Sequence, residues 1–364
     1  MMLDSVFWQG KKVFVTGHTG FKGTWLSLWL TQLGAIVTGY ALKPPTSPSM
    51  FELCKMVHVI PTVYADIRDQ HALLEALSAA KPEIVIHMAA QPLVRSSYAD
   101  PVMTFETNVM GTVYVLDAVR KAVDAGGQIK AVINVTTDKC YENQEWIWGY
   151  RETDRLGGHD PYSSSKACSE WVTSSYRESY FPQSEYVKHG VALASARAGN
   201  VIGGGDWASD RLVPDCIRAQ LQQKSIIVRS PDAIRPWQHV LEPLCGYLLL
   251  AQKMVEQGAD FAEGWNFGPD AQDERSVIWV VKRICSQWPE GDQAGYTIQS
   301  QGDLNEANQL RLDSSKARKR LSWRPRWNTE QAIDKVLEWI AVYRSHGNLT
   351  EVSLRQIMEF TRTD

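Results

Sequence analysis

Along the first half of the chain, short runs of unbroken apolar residues alternate with longer stretches whose apolar residues recur every three or four positions. VFVTG (13–17), AIVTGYA (35–41), VIPTVYA (59–65), EIVIHMAA (83–90) and AVINVTT (131–137) predict strands buried on both faces. TWLSLWLTQL (24–33), HALLEALSAA (71–80) and VMTFETNVMGTVYVLDAVRKAV (102–123) predict the helices between them. Strands that are continuously apolar, each followed by a helix, predict an α/β fold: a doubly wound parallel sheet covered on both faces. After about residue 200, GGGDW (203–207), SPDAIRPW (230–237) and FGPDAQDE (267–274) interrupt the pattern with loops. Helical patterns near 211–223, 240–257, 274–287 and 328–346 persist between them and predict a smaller α/β lobe.

Composition narrows the function. With 38 Lys+Arg against 41 Asp+Glu and a net charge of −3 over 364 residues, no basic excess exists to meet a nucleic acid or an anionic membrane. Any anion must be held locally. The longest apolar run, Tyr247–Ala251, is far short of the ~20 residues of a membrane span. Six cysteines without C-x-x-C spacing argue against zinc or a disulfide framework, and the first residues do not read as a signal peptide; a cytoplasmic protein is expected. Fourteen tryptophans are unusually many. Trp25, Trp29, Trp171 and Trp339 stand at helical spacing and read as packing, whereas Trp146, Trp148, Trp207 and Trp237 fall in loops where a flat face can meet a ring.

Chemistry begins after the first strand, where VFVTGHTGFKG places Gly17, Gly20 and Gly23 ahead of a helix. Glycine permits a sharp turn and close approach to a pyrophosphate, and the helix start offers free N–H groups. Gly17, Thr19, Gly20, Phe21, Lys22 and Gly23 are therefore candidate dinucleotide ligands. The spacing is G-x-x-G-x-x-G, and the acidic residue expected after the second strand is missing from GYALKPP, so NAD is expected with NADP left open. Asp66 and Ile67, after the third strand, are placed to meet an adenine, or Asp66 is a turn residue. Residues 1–195 are expected to form the NAD(P)-binding Rossmann domain, with the helix near 240–257 packing back on it, and 196–364 the substrate domain.

In YSSSK, Tyr162 and Lys166 lie one helical turn apart, where an ammonium favours the phenolate and creates a proton acceptor. Thr137, at the end of the fifth predicted strand, can hydrogen-bond the same substrate oxygen. Together with HMAAQPLVRSSYADP (87–101), TNVMGT (107–112), TTDKCY (136–141) and RAGNVIGGGDW (197–207), these motifs resemble the extended short-chain dehydrogenase/reductase family over nearly the whole chain. Within it they are most like the nucleotide-sugar 4,6-dehydratases, the branch acting on CDP-glucose in particular. The resemblance implies a Thr137, Tyr162 and Lys166 triad, with Ala89, Ala90, Gln91 and a supporting Asn108 around the cofactor. It also implies substrate contacts from Arg95, Asn200, Arg235, His239 and Arg311, no metal, a homodimer built from the helices near 102–123 and 161–181, and a place early in deoxyhexose synthesis for bacterial surface polysaccharide.

Asp138 and Lys139 set the chain apart from simple sugar epimerases, because removing water requires an acid and a base beside the sugar. The resemblance implies Asp138 as the acid for the departing 6-hydroxyl. Lys139 is either the base at C5 or a group that orients Asp138 or a water. The dTDP-glucose dehydratases carry Asp-Glu here, so Asp-Lys is a departure. A redox enzyme or 4-epimerase of the same superfamily, and a silent dinucleotide-binding scaffold, are the rival readings. His87 reads as a satisfied core residue.

Overall fold

The computed structural model describes residues 3–288, 294–299 and 310–362. Seven parallel strands form the main sheet: β1 (Lys12–Thr16), β2 (Ile36–Ala41), β3 (Thr62–Tyr64), β4 (Ile84–His87), β5 (Ala131–Val135), β6 (Ala192–Ala198) and β7 (Gly264–Phe267). Their spatial order, β7-β6-β5-β4-β1-β2-β3, reverses direction at β1, so the sheet is the doubly wound one that the alternation predicts. A crevice opens beyond the carboxyl ends of β1 and β4 at such a reversal.

Alternate residues of each strand feed two separate cores. Val13 and Val15 of β1, Ile84 and Ile86 of β4 and Ile133 of β5 face one side, under α1 (Phe21–Gln32). Phe14, Val85 and Val132 face the other, under α2 (Gln70–Ala80), α3 (Gly111–Asp124) and α4 (Pro161–Ser179). Helix α1 is buried continuously from Gly23 to Leu30, on every side. Its outer face carries Trp29 against Phe360 of the last helix, and its Trp25 indole N–H donates to the Gly204 carbonyl at 2.9 Å.

The interrupted second half supplies α5 (Leu212–Leu221), α6 (Leu241–Gln257), α7 (Val277–Gln287), α8 (Thr329–Arg344) and α9 (Leu349–Arg362), with three two-stranded ribbons. Residues after 195 also return to the main sheet: β7 pairs with β6, and α6 packs on β5 and β6. The expected boundary at 195 thus falls inside β6. That strand and β7 have no counterpart among the predicted ones. Ala192, Ala194, Ala196 and Ala198 all face α6, and alanine carries little strand signal although it lets a helix lie close. Gly204 shows the same tightness, since a Cβ there would stand 2.0 Å from the Trp339 ring.

Candidate active site

One continuous cleft of about 1710 Å³ runs from the end of β2, over the glycine loop and past the ends of β4 and β5, into the second lobe. Single-ligand pockets span roughly 300–1,000 Å³, so there is room for two ligands end to end. Gly17, Thr19, Gly20, Phe21, Lys22, Gly23, Asp66, Ile67, Ala89, Ala90, Gln91, Arg95, Thr137, Asp138, Lys139, Tyr162, Lys166, Asn200 and Arg235 all line it.

The glycine loop is shaped by close backbone packing. Gly17 has a φ of +75°, and a Cβ there would fall 2.7 Å from the Ala89 nitrogen. The turns after β1 and β4 meet at that point. Gly20 is the N-cap of α1 and brings no side-chain acceptor, so the first turn's N–H groups face the cleft. At the far wall, the Asp66 carboxylate is held by the Arg68 guanidinium at 2.8 and 3.1 Å.

Helix α4 starts where the chemistry needs it to. Asp160 caps the Ser163 N–H at 3.0 Å and Pro161 occupies the first turn, which sets Tyr162, Lys166 and Glu170 on one face. Thr137 is extended and caps a short turn over Asp138–Cys140, accepting the Lys139 N–H at 3.3 Å and donating to Asp138 Oδ1 at 2.9 Å. Asp138 is 1% exposed, and its Oδ2 is a buried atom with no hydrogen-bond partner. It faces Gly199, where a Cβ would come within 3.0 Å of it.

Electrostatics in the cleft differ from the simple tyrosine–lysine pair. Burial pushes the Tyr162 phenol up to about 12, opposed by its hydrogen bond with Thr137, reinforced by the charge of Asp138 and opposed again by that of Arg211. Lys166 reaches the Val135 carbonyl at 3.4 Å and is brought down by burial to about 8. Lys22 donates to the Tyr247 hydroxyl at 3.1 Å; burial, then the charges of Lys166 and Arg211, bring it down to about 7. Arg211 is held by Asp206 at 2.9 Å. No motif reading found Arg211, which follows an irregular loop and reaches Tyr162 only through the fold. Arg218 and Arg229 line the same end of the cleft as Arg95 and Arg235.

Three residues of the expected site lie outside the cleft lining. His239 is fully enclosed, between the rings of Trp25 and Trp327 at 5.8 and 4.9 Å, and packs the core instead of meeting a substrate. Arg311 lies outside the cleft lining: it pairs with Glu274 at 2.7 Å and donates to the Ile147 carbonyl, tying down the 146–148 loop. Asn108 does not line the cleft either. It sits in a π-helical turn (Glu106–Met110), accepts the Gln91 N–H at 2.8 Å and donates to Ser165 Oγ at 2.9 Å, bracing α4 from behind. Such turns interrupt helices mainly where function needs an unusual geometry.

Trp207 and Trp237 face the cleft, whereas Trp25, Trp29 and Trp339 are core; Trp171 is 55% exposed. Among the described residues no group of three or more His, Cys, Asp or Glu side chains converges on a metal position, and no helix is long and apolar enough to cross a membrane.

Comparison with known proteins agrees with this geometry. A family model described as GDP-mannose 4,6 dehydratase matches residues 14–336. The chain is 51% identical over 359 residues to a CDP-glucose 4,6-dehydratase of Salmonella typhimurium, covering 99% of this chain and 98% of that one. Among solved structures, an epimerase from Methanothermobacter thermautotrophicus superposes with a TM-score of 0.78 at 20% identity, covering 94% of this chain and 96% of the other. The dTDP-glucose 4,6-dehydratase of Streptomyces venezuelae, solved with NAD and TYD, superposes with a TM-score of 0.74 at 23% identity, over 93% and 99%. The last two show the fold; the family model and the full-length relative show that this chain belongs to the GDP-mannose 4,6-dehydratase family.

Proposed function

We propose that the protein is a CDP-glucose 4,6-dehydratase that converts CDP-D-glucose to CDP-4-keto-6-deoxy-D-glucose and water. The observation that carries the reading is Asp138: a buried carboxylate oxygen without a partner, next to Thr137 and in one cleft with Tyr162. A 4-epimerase needs no acid there. The full-length identity selects CDP-glucose among the nucleotide sugars.

NAD fits the glycine end of the cleft, because the crowded Gly17 and the open first turn of α1 suit a pyrophosphate. Gly17, Thr19, Gly20, Phe21, Lys22, Gly23, Asp66, Ile67, Ala89, Ala90 and Gln91 would hold it, with Lys166 at the ribose. When bound, it supplies a hydride acceptor for C4 and a donor for C6, so no net oxidation results. Tyr162 removes the 4-hydroxyl proton. Its deprotonation is favoured by nearby positive charge: Arg211 acts on the phenol, and Lys166 stands one helical turn away. The 4-ketone acidifies C5–H, Lys139 takes that proton, and Asp138 protonates the 6-hydroxyl as water leaves. Arg95, Arg211, Arg218, Arg229 and Arg235 line the cleft with Asp206, Asp210 and Asp215, to which the first four are paired, and the excess of arginines suits a diphosphate.

Incubation with CDP-, dTDP- and UDP-glucose and catalytic NAD, followed by the alkaline absorbance of the 4-ketosugar, is expected to give product from CDP-glucose at a kcat/KM at least about tenfold above the others. No product from CDP-glucose would overturn the reading, and a Lys139→Met variant at full rate would remove Lys139 as the base.

The homodimer belongs to the same reading. Val102, Phe105, Met110 and Trp171 are exposed apolar side chains on elements that pack against each other, the Pro101–Met110 segment and α4. A second copy would cover them. Sedimentation should give the mass of two chains, and Trp171→Glu should shift the species towards one. The six cysteines are free, which fits the cytoplasm.

A further inference from the structure

His87, the last residue of β4, is 2% exposed, and the reaction outlined above does not use it. Its Nδ1 lies 2.7 Å from Thr16 Oγ1 and its Nε2 3.3 Å from Thr112 Oγ1. Which ring nitrogen carries the proton follows from the hydrogens these hydroxyls have to give. Thr16 Oγ1 accepts the Ala89 N–H at 3.2 Å, and the Met88 N–H is shared between that oxygen and the Thr16 carbonyl, at 3.1 Å each. The hydroxyl's single hydrogen is available to Nδ1. Thr112 Oγ1 donates its single hydrogen to the Asn108 carbonyl at 2.7 Å, so it has none for Nε2, and Nε2 must be the donor. The remaining neighbour is consistent: Ser169 Oγ accepts from Asn134 Nδ2 at 2.9 Å and gives its hydrogen to Thr112, also at 2.9 Å.

The Thr112 end thus selects, and the Thr16 end accommodates, one species: a neutral imidazole protonated on Nε2. Burial, and then the charge of Lys166, bring this histidine down to about 3, in keeping with a neutral ring.

The partners give the ring its meaning. Thr16 immediately precedes Gly17, and Ala89, whose N–H Thr16 holds, is the residue against which Gly17 packs. On the other side, Thr112 grips the Asn108 carbonyl, and the Asn108 side chain reaches Ser165, which donates to the Tyr162 carbonyl at 2.7 Å. We propose that His87 is a positioning residue: as the Nε2–H tautomer it ties the glycine loop to the π turn and α4, setting the cofactor cradle against Tyr162 and Lys166. The proposal rests on reading this cleft as the dinucleotide and sugar site.

Two kinds of measurement test it. In wild-type protein carrying ¹⁵N-histidine at about pH 7, the signal lost in His87→Gln should show a protonated Nε2 and an unprotonated Nδ1 that accepts a hydrogen bond. Glutamine can offer an acceptor to Thr16 and a donor to Thr112, whereas leucine offers neither. His87→Gln is therefore expected to keep kcat within about threefold of wild type, and His87→Leu to lose roughly 30-fold or more in kcat with KM for CDP-glucose within about threefold. A proton on Nδ1, a cationic ring, or equal losses in the two variants would overturn the proposal. Should His87→Leu not fold, the tautomer decides. A wild-type protein inactive on CDP-glucose would count against the functional reading, and the tautomer would still decide this one.

Discussion

Tyr162→Phe is expected to lower kcat on CDP-glucose by roughly 10²- to 10⁴-fold while leaving the fold in place. The hydroxyl is the only group removed. What it contributes to structure is a hydrogen bond with Thr137, whereas the Tyr162 N–H to Ser97 Oγ at 3.1 Å and the ring's packing remain. A loss of this size with unchanged circular dichroism and an unchanged unfolding midpoint would mark the phenol as a group that handles a proton. A variant within about tenfold of wild type would remove Tyr162 as the base and move attention to Asp138. The alkaline side of the wild-type kcat/KM profile should add a second signature. Burial brings Lys166 down to about 8, so its ammonium is present below that pH and lost above it. Activity that depends on this cation should fall as pH rises through about 8, and Arg211, which stays charged, cannot account for such a fall.

Arg197→Met is expected to be the most destabilising single change, at about 3–5 kcal/mol in urea unfolding. One helical turn behind Lys166, Glu170 is buried, and Arg197 of β6 engages both its carboxylate oxygens, at 2.9 and 2.8 Å. Ser195 Oγ donates to the same carboxylate at 2.6 Å, and Thr136 Oγ1 does so too. Arg197 in turn donates to the Tyr141 hydroxyl at 2.6 Å, and Tyr141 donates to Asn266 of β7 at 2.8 Å. Removing the guanidinium leaves a carboxylate in the interior without its counter-charge. Glu170→Leu combined with Arg197→Met should recover much of the loss, because replacing both members of a buried pair by apolar groups is often close to neutral. A single variant that loses less than about 1 kcal/mol would show that the pair does not anchor this part of the fold.

The same pair has a pH signature. Burial alone would raise the Glu170 pKa, but the Arg197 charge and the hydrogen bonds from Arg197, Ser195 and Thr136 more than reverse it, leaving the carboxyl below the usual range. A depressed carboxylate contributes stability that is present above its unfolded pKa of roughly 4.3 and lost as pH falls through the folded value. Acid unfolding should therefore begin earlier in wild type than in a variant carrying both replacements.

Much of the sheet was legible because parallel strands covered on both faces are apolar without interruption. β1, β2, β4 and β5 and the helices between them follow that rule, whereas β3 is a short edge strand, Thr62–Tyr64, with Tyr64 exposed. β6 escaped the rule for a local reason: a strand of alternating alanines beneath α6 looks like neither a strand nor a helix until the helix is laid on it; β7, four residues of GWNF, is too short to carry a pattern. The glycine loop, Tyr162 and Lys166 were legible from spacing, because a turn and a single helical turn are short-range geometry. The substrate end was not. His239 and Arg235 stand four residues apart in RPWQHV, yet one is sealed between two indoles and the other lines the cleft.

By itself the chain determined the order of the first five strands and the helices between them, the glycine turn that opens α1, and the placing of Tyr162 and Lys166 on one helix face. Those are properties of neighbours in sequence, which helix and turn geometry carry into space unchanged. Only the tertiary structure decided that Arg211 stands by Tyr162, that Arg311 holds a loop, that Asp138 keeps an oxygen free, and which tryptophans are core and which face the cleft. Each of these depends on residues tens of positions apart packing at a common surface, and sequence spacing places no constraint on that.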